Sequence, residues 1–79
     1  MDEFRFQVGH VLKHKSLAIT VEITNLYGDG YQYKYLAYPD DMRNNISFRR
    51  KYYVVQENLE HSFKLISNYN AIWQDLLGI

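Results

Sequence analysis

The chain contains no cysteine, so neither a disulfide framework nor a thiolate zinc site is available to its 79 residues. It has no excess of either charge: nine basic and nine acidic side chains cancel. General nucleic-acid binders advertise themselves by a large positive balance, and this composition argues against that class while leaving local patches open. No apolar run approaches the roughly 18 residues that a membrane span requires. The polar start Met1-Asp2-Glu3 lacks the pattern of a signal peptide, so the expectation is a cytoplasmic protein without a membrane partner. One proline and four glycines leave few fixed breakpoints.

What is abundant is tyrosine, with eight residues, in a chain that is 47% apolar and 23% charged. Those proportions are ordinary for one small folded domain. Leu17, Ile19, Val21 and Ile23 alternate with Ala18, Thr20, Glu22 and Thr24, and Tyr31, Tyr33 and Tyr35 alternate with Gln32 and Lys34. This period of two predicts strands over Leu17–Thr24 and Tyr31–Tyr38, joined as a hairpin across Gly28-Asp29-Gly30, whose glycines can take positive φ. The tyrosines of the second strand are expected to face the core. Before the hairpin, Phe4 to Val8 reads as an extended lead-in, Gly9 as a bend, and Val11 to His14 as a short strand.

Pro39 and the acids after it end the third strand in a polar loop, and a fourth strand is predicted over Ile46 to Val55. Arg50 interrupts its apolar parity, by a bulge or as an edge residue with its stem on apolar surface. Gln56 to Ser62 fits a single 3₁₀ turn with Leu59 pointing inward, and Phe63 to Ile66 a fifth strand with Phe63 and Leu65 inward. Ala71 to Leu77 reads as a short C-terminal helix whose Ile72, Trp73, Leu76 and Leu77 share one face. Two turns persist only if that face docks, on the body of the domain or on a second copy of the chain.

Phe6-Gln7-Val8-Gly9-His10-Val11-Leu12-Lys13-His14-Lys15 and Glu57-Asn58-Leu59-Glu60-His61-Ser62-Phe63-Lys64-Leu65-Ile66 resemble the opening and closing segments of small SH3-like barrel proteins of bacteria and bacteriophages. His10 stands where that pattern commonly has aspartate. The resemblance implies a mainly β fold over residues 1–66: a five-stranded SH3-like barrel, with a 3₁₀ turn before the last strand. The likeness itself covers about residues 4–66; residues 67–79 lie outside it and are read as a helical tail that packs on the barrel or on a partner subunit.

Catalytic sets are absent from the sequence pattern. The serines lack an activating motif, and His10, His14 and His61 are not spaced as a helical metal pair. Gly28-Asp29-Gly30 lacks the spacing of a phosphate loop. The expectation is a protein that is not an enzyme and holds no cofactor or metal. The strongest local charge signal is Arg49-Arg50-Lys51, extended by Arg43, with no acid between positions 42 and 56. Alternation puts Arg49, Lys51 and Tyr53 on one outward face, which Lys34 enlarges and Glu22 dilutes. Tyr38, Tyr53 and Trp73 are further contact candidates, since tyrosine offers contact area at low entropic cost. A protein partner is the first reading, as adaptor or inhibitor of a larger protein. Nucleic acid held by Arg43, Arg49, Arg50, Lys51 and nearby tyrosines is the alternative, and a homodimer through the tail is compatible with either.

Overall fold

A computed structural model describes residues 3–68 of the chain, the side chains of Ser67 and Asn68 excepted. The expected C-terminal helix, with Tyr69, Ile72, Trp73, Leu76 and Leu77, lies outside the described residues. The strands are β1 (His10–His14), β2 (Thr20–Leu26), β3 (Gly30–Ala37), β4 (Lys51–Val55) and β5 (Phe63–Asn68). They form one antiparallel sheet in the order β4-β3-β2-β1-β5. A seven-residue helix, α1 (Gln56–Ser62), links the two edge strands.

The sheet is open, which corrects the expectation of an SH3-like barrel. Its edges β4 and β5 are not hydrogen-bonded to each other. The reason lies in the length of β4. A ten-residue strand from Ile46 would have the reach to bend from one partner to another and close the sheet. The observed strand has five residues and pairs with β3 alone. Residues 46–50 stay irregular, and Arg50 is neither bulged nor inside the strand: β3 and β4 pair without a register shift.

The inner face carries the core, built from Leu12, Ile19, Val21, Ile23, Tyr31 and Leu59 together with Phe6. Gly9, at φ 91°, makes the bend that folds the N-terminal arm back onto this face, so that Phe6 is buried and Phe4 packs beside it. The predicted first strand of the hairpin is displaced. Leu17 is exposed in the connection before β2, and the strand runs on to Leu26. A bulge makes this shift productive. Ile23 pairs with Tyr33 and Asn25 with Gln32, so Thr24 is an extra residue, and the parity change turns Leu26 towards the core beside Tyr31. Similar shifts leave Leu36 in β3 and Ile66 in β5 as extra residues. Leu65, expected inward, is half exposed on the edge strand.

The segment expected as a 3₁₀ turn is α1, and the 3₁₀ turn sits instead at Asp40–Met42, after Pro39. Seven residues span about 10 Å and do not hold a helix by themselves. Leu59, 1% exposed, anchors it in the core. At its start no side chain caps the helix, but the Gln56 N–H donates to the Asp29 carbonyl at 3.0 Å and so finds a partner in the β2–β3 loop.

Glu60 completes the attachment. Its carboxylate accepts from the Tyr31 hydroxyl (2.5 Å), the Arg5 N–H (3.0 Å) and the Gln56 side-chain amide (3.1 Å). The same hydroxyl accepts from the Phe6 N–H at 3.2 Å. Burial and the bond to Glu60 push the Tyr31 phenol up to about 12. Burial alone would raise the Glu60 carboxyl, but the bonds from Tyr31, Arg5 and Gln56 outweigh it and hold the carboxyl below its ordinary value. Glu60 therefore contributes stability above the ordinary glutamate range, and that contribution disappears as pH falls through its lowered folded value.

Tyr31→Phe leaves the Phe6 N–H without its buried partner and should cost about 1–3 kcal/mol in urea unfolding at neutral pH. Its stability should also fall less steeply than that of the native protein on acidification below the ordinary glutamate value. Parallel pH profiles would contradict the role given to the Tyr31–Glu60 bond.

Candidate basic outer face

Because α1 and the N-terminal arm occupy the inner side, the opposite side of the sheet has no covering element among the described residues. Alternation and register decide what it displays. Lys13 comes from β1, Glu22 from β2, Gln32 and Lys34 from β3, Lys51 and Tyr53 from β4, and Lys64 from β5, while Val11 of β1 has the same parity but is buried, at 4% exposure. The register sets Lys34 directly opposite Lys51, and Lys13 directly opposite Lys64. Directly paired residues have Cβ atoms about 5 Å apart, and like charges at that separation destabilise the sheet. One acid moderates them: Glu22 lies across from Lys34, 3.8 Å from its ammonium. A chain of zero net charge thus concentrates four of its cations, with one anion among them, on a single sheet face.

Two tyrosines border this face at the β2–β3 loop. Tyr27 and Tyr53 meet edge to face at 6.0 Å, and both are exposed. The Tyr27 hydroxyl accepts from the Gln32 amide at 3.2 Å, while the Tyr53 hydroxyl donates to the Asp29 carboxylate at 2.5 Å. That bond to Asp29, with some burial and the carboxylate charge, raises the Tyr53 phenol above its ordinary value. Gly30 earns its place through close approach, since the positive φ expected in this loop is not adopted. A Cβ there would collide with the Val54 carbonyl oxygen and come within 2.7 Å of the Tyr53 hydroxyl. The glycine lets the Tyr53 ring lie against the sheet.

The other residues singled out in the sequence are scattered. Arg43 follows the 3₁₀ turn and pairs with Asp40 at 3.2 Å, with both side chains largely solvated. Arg49 precedes β4, its N–H bonded to the Ser47 hydroxyl at 3.1 Å. Arg50 places its guanidinium 5.4 Å from the Tyr52 ring centre, on an inward-facing residue, so it is separated from Lys51 by the thickness of the sheet. Tyr38 stacks on Phe48 at 4.5 Å and donates to the Ile46 carbonyl at 3.0 Å. It belongs to an inner aromatic group with Tyr33, Tyr35 and Tyr52. Burial raises the Tyr33 phenol, reinforced by the neighbouring Tyr35 hydroxyl. Of the partner-binding candidates, Lys51 and Tyr53 share the outer face, and Trp73 lies outside the described residues.

Sequence reasoning passed over Lys13 and Lys64. Each occupies an ordinary polar position in its strand, and only the β1–β5 register makes them a pair. Two other arrangements with chemical potential are occupied structurally. The Ser16 hydroxyl is 3.3 Å from His14 Nδ1, but that nitrogen already accepts from the Ser16 and Leu17 N–H groups and closes the β1–β2 turn. Glu60 lines an open cleft with Arg5, Lys15 and His61, yet its carboxylate is held by the three bonds given above. No group of three or more potential metal ligands occurs among the described residues.

The lysine pairs have a measurable cost. Lys64→Glu, which sets an acid opposite Lys13, should raise stability by about 0.2–1 kcal/mol at low salt, and the gain should shrink at high salt. A loss of stability, or a gain indifferent to salt, would contradict the cross-strand pairing of like charges. Comparison with family models, curated proteins and solved structures found no match to this chain.

Proposed function

We propose that this protein is a small non-enzymatic binding module that docks the acidic surface of a larger protein on its outer sheet face, as an adaptor or as an inhibitor by occlusion. The observation that carries this reading is the pair of lysine–lysine juxtapositions, Lys13 with Lys64 and Lys34 with Lys51. A domain of this size has little stability to spare, and like charges set directly opposite each other cost some of it. An anionic partner supplies the missing counter-charge and turns repulsion within the free protein into attraction in the complex. Tyr27 and Tyr53 add apolar area with polar tips at the border, the composition common at protein interfaces.

Single-stranded nucleic acid is the second reading, favoured by two exposed tyrosines beside lysines. Against it stands the Asp29 carboxylate, bonded to Tyr53, where phosphates would pass.

The test is affinity capture from lysate of the source cell after nuclease treatment, with the native protein and a Lys13→Glu/Lys34→Glu/Lys51→Glu/Lys64→Glu variant as baits. A specific protein held by the native bait and lost from the variant, while the variant remains folded, is the expected result. Capture that is abolished by nuclease favours the nucleic-acid reading. Equal capture by both baits would remove the lysine face from the account.

A further inference from the structure

The outer edge of β4 has a donor–acceptor pattern that can be read from one bond. The Gln56 N–H donates to the Asp29 carbonyl, and in the β3–β4 register these residues stand one step beyond Gly30 and Val55. Antiparallel pairs alternate between exchanging backbone bonds and turning away. The bonded pairs are therefore Tyr31 with Val54 and Tyr33 with Tyr52. Gly30 fits this pattern, because its carbonyl is turned to β2 and accepts from the Tyr27 N–H at 2.9 Å. Lys51 and Tyr53 must then point both N–H and C=O away from the sheet, and Val55 its N–H, while the Val55 carbonyl stands at the N-cap of α1 and serves the helix. Among the described residues, no turn or loop backbone group bonds to these outward N–H groups or to the Lys51 and Tyr53 carbonyls.

Sheet edges are usually blunted by bulges, proline, glycine or charge. Unlike β5, β4 pairs with its neighbour without a bulge, and it contains neither proline nor glycine. Its one blunting device is charge, since Lys51 opens the strand directly after Arg49 and Arg50. Positive charge discourages indiscriminate pairing and selects a strand of the opposite sign. The side chains of an added strand would alternate between the basic face beside Lys51 and the inner side beside Tyr52 and Val54.

We propose that an acidic, extended protein segment adds to the sheet as a sixth strand along β4, alternating acidic with apolar residues. This rests on the acidic-partner reading above and specifies its mode: main-chain bonds supply affinity, and the lysine face selects the sequence.

The experiment titrates the protein with a synthetic peptide alternating glutamate and valine, and with a control carrying glutamine for glutamate, while following backbone amide exchange. Strand addition should slow exchange at Lys51, Tyr53 and Val55 and leave Tyr52 and Val54, already bonded to β3, unchanged. The glutamine control should bind more weakly. Val55 has φ −63°, the value proline imposes, and its N–H points outward. Val55→Pro should therefore keep the native melting temperature and weaken peptide binding roughly ten-fold. Binding without the alternating protection, or undiminished in a folded Val55→Pro, overturns strand addition while leaving acid recognition by the lysine face intact. Absence of binding also overturns it, and the lysine-face reading then stands or falls by the capture experiment. Protection that appears without peptide as the protein is concentrated assigns the edge to a second copy and overturns the acidic segment.

Discussion

One buried hydroxyl holds the two sides of the inner layer together. The Tyr31 oxygen, inside a core that is otherwise apolar among the described residues, accepts from Phe6 on the N-terminal arm and donates to Glu60 on α1. Neither of those elements has the means to stand alone. The arm is irregular, and α1 has one buried side chain. Burial of a polar atom is costly unless it is bonded, and here both bonds cross between elements, so satisfying the hydroxyl fixes the geometry of everything packed on the inner face. The bend at Gly9 and the burial of Leu59 are the two other parts of the same constraint.

That constraint also sets where function can reside. With arm and helix committed to one side, the other side of the sheet has no covering element among the described residues. The period-two alternation that buries Val21 and Ile23 sends Glu22 the other way. The same alternation brings Lys13, Lys34, Lys51 and Lys64 to one surface. Fold and surface charge are two consequences of a single pattern. The unfavourable lysine pairs are compatible with folding because surface pairs are worth little beside a core of fully buried Leu12, Val21, Ile23, Tyr31 and Leu59.

The sequence made the alternating strands, the bend at Gly9 and the inward tyrosines legible, because each is written in neighbouring residues. What depends on pairing was not. Nothing local marks Thr24 as a bulge, and without it Leu26 reads as a loop residue rather than a core one. Likewise α1 carries a single apolar position, which gives no helical period, and its stability comes from Tyr31 and Asp29, distant along the chain. The short β4 escaped notice because Ile46 and Phe48 extend its apolar parity, although Phe48 instead stacks on Tyr38. The basic run Arg49-Arg50-Lys51 was visible as a run, but a strand sends neighbours to opposite faces. Arg50 goes to Tyr52, while Lys51 joins lysines that lie far away in sequence.

Docking of a partner on the outer face is the proposal on which the rest depends. Its most direct measurement is the acetylation rate of the five lysines, read by mass spectrometry in the isolated protein and in the captured complex. Lys15, in the β1–β2 connection, serves as the internal reference. Lys13, Lys34, Lys51 and Lys64 should become protected together in the complex while Lys15 keeps its reactivity. Unchanged reactivity of those four lysines in a stable complex would contradict that docking and move the contact to another surface.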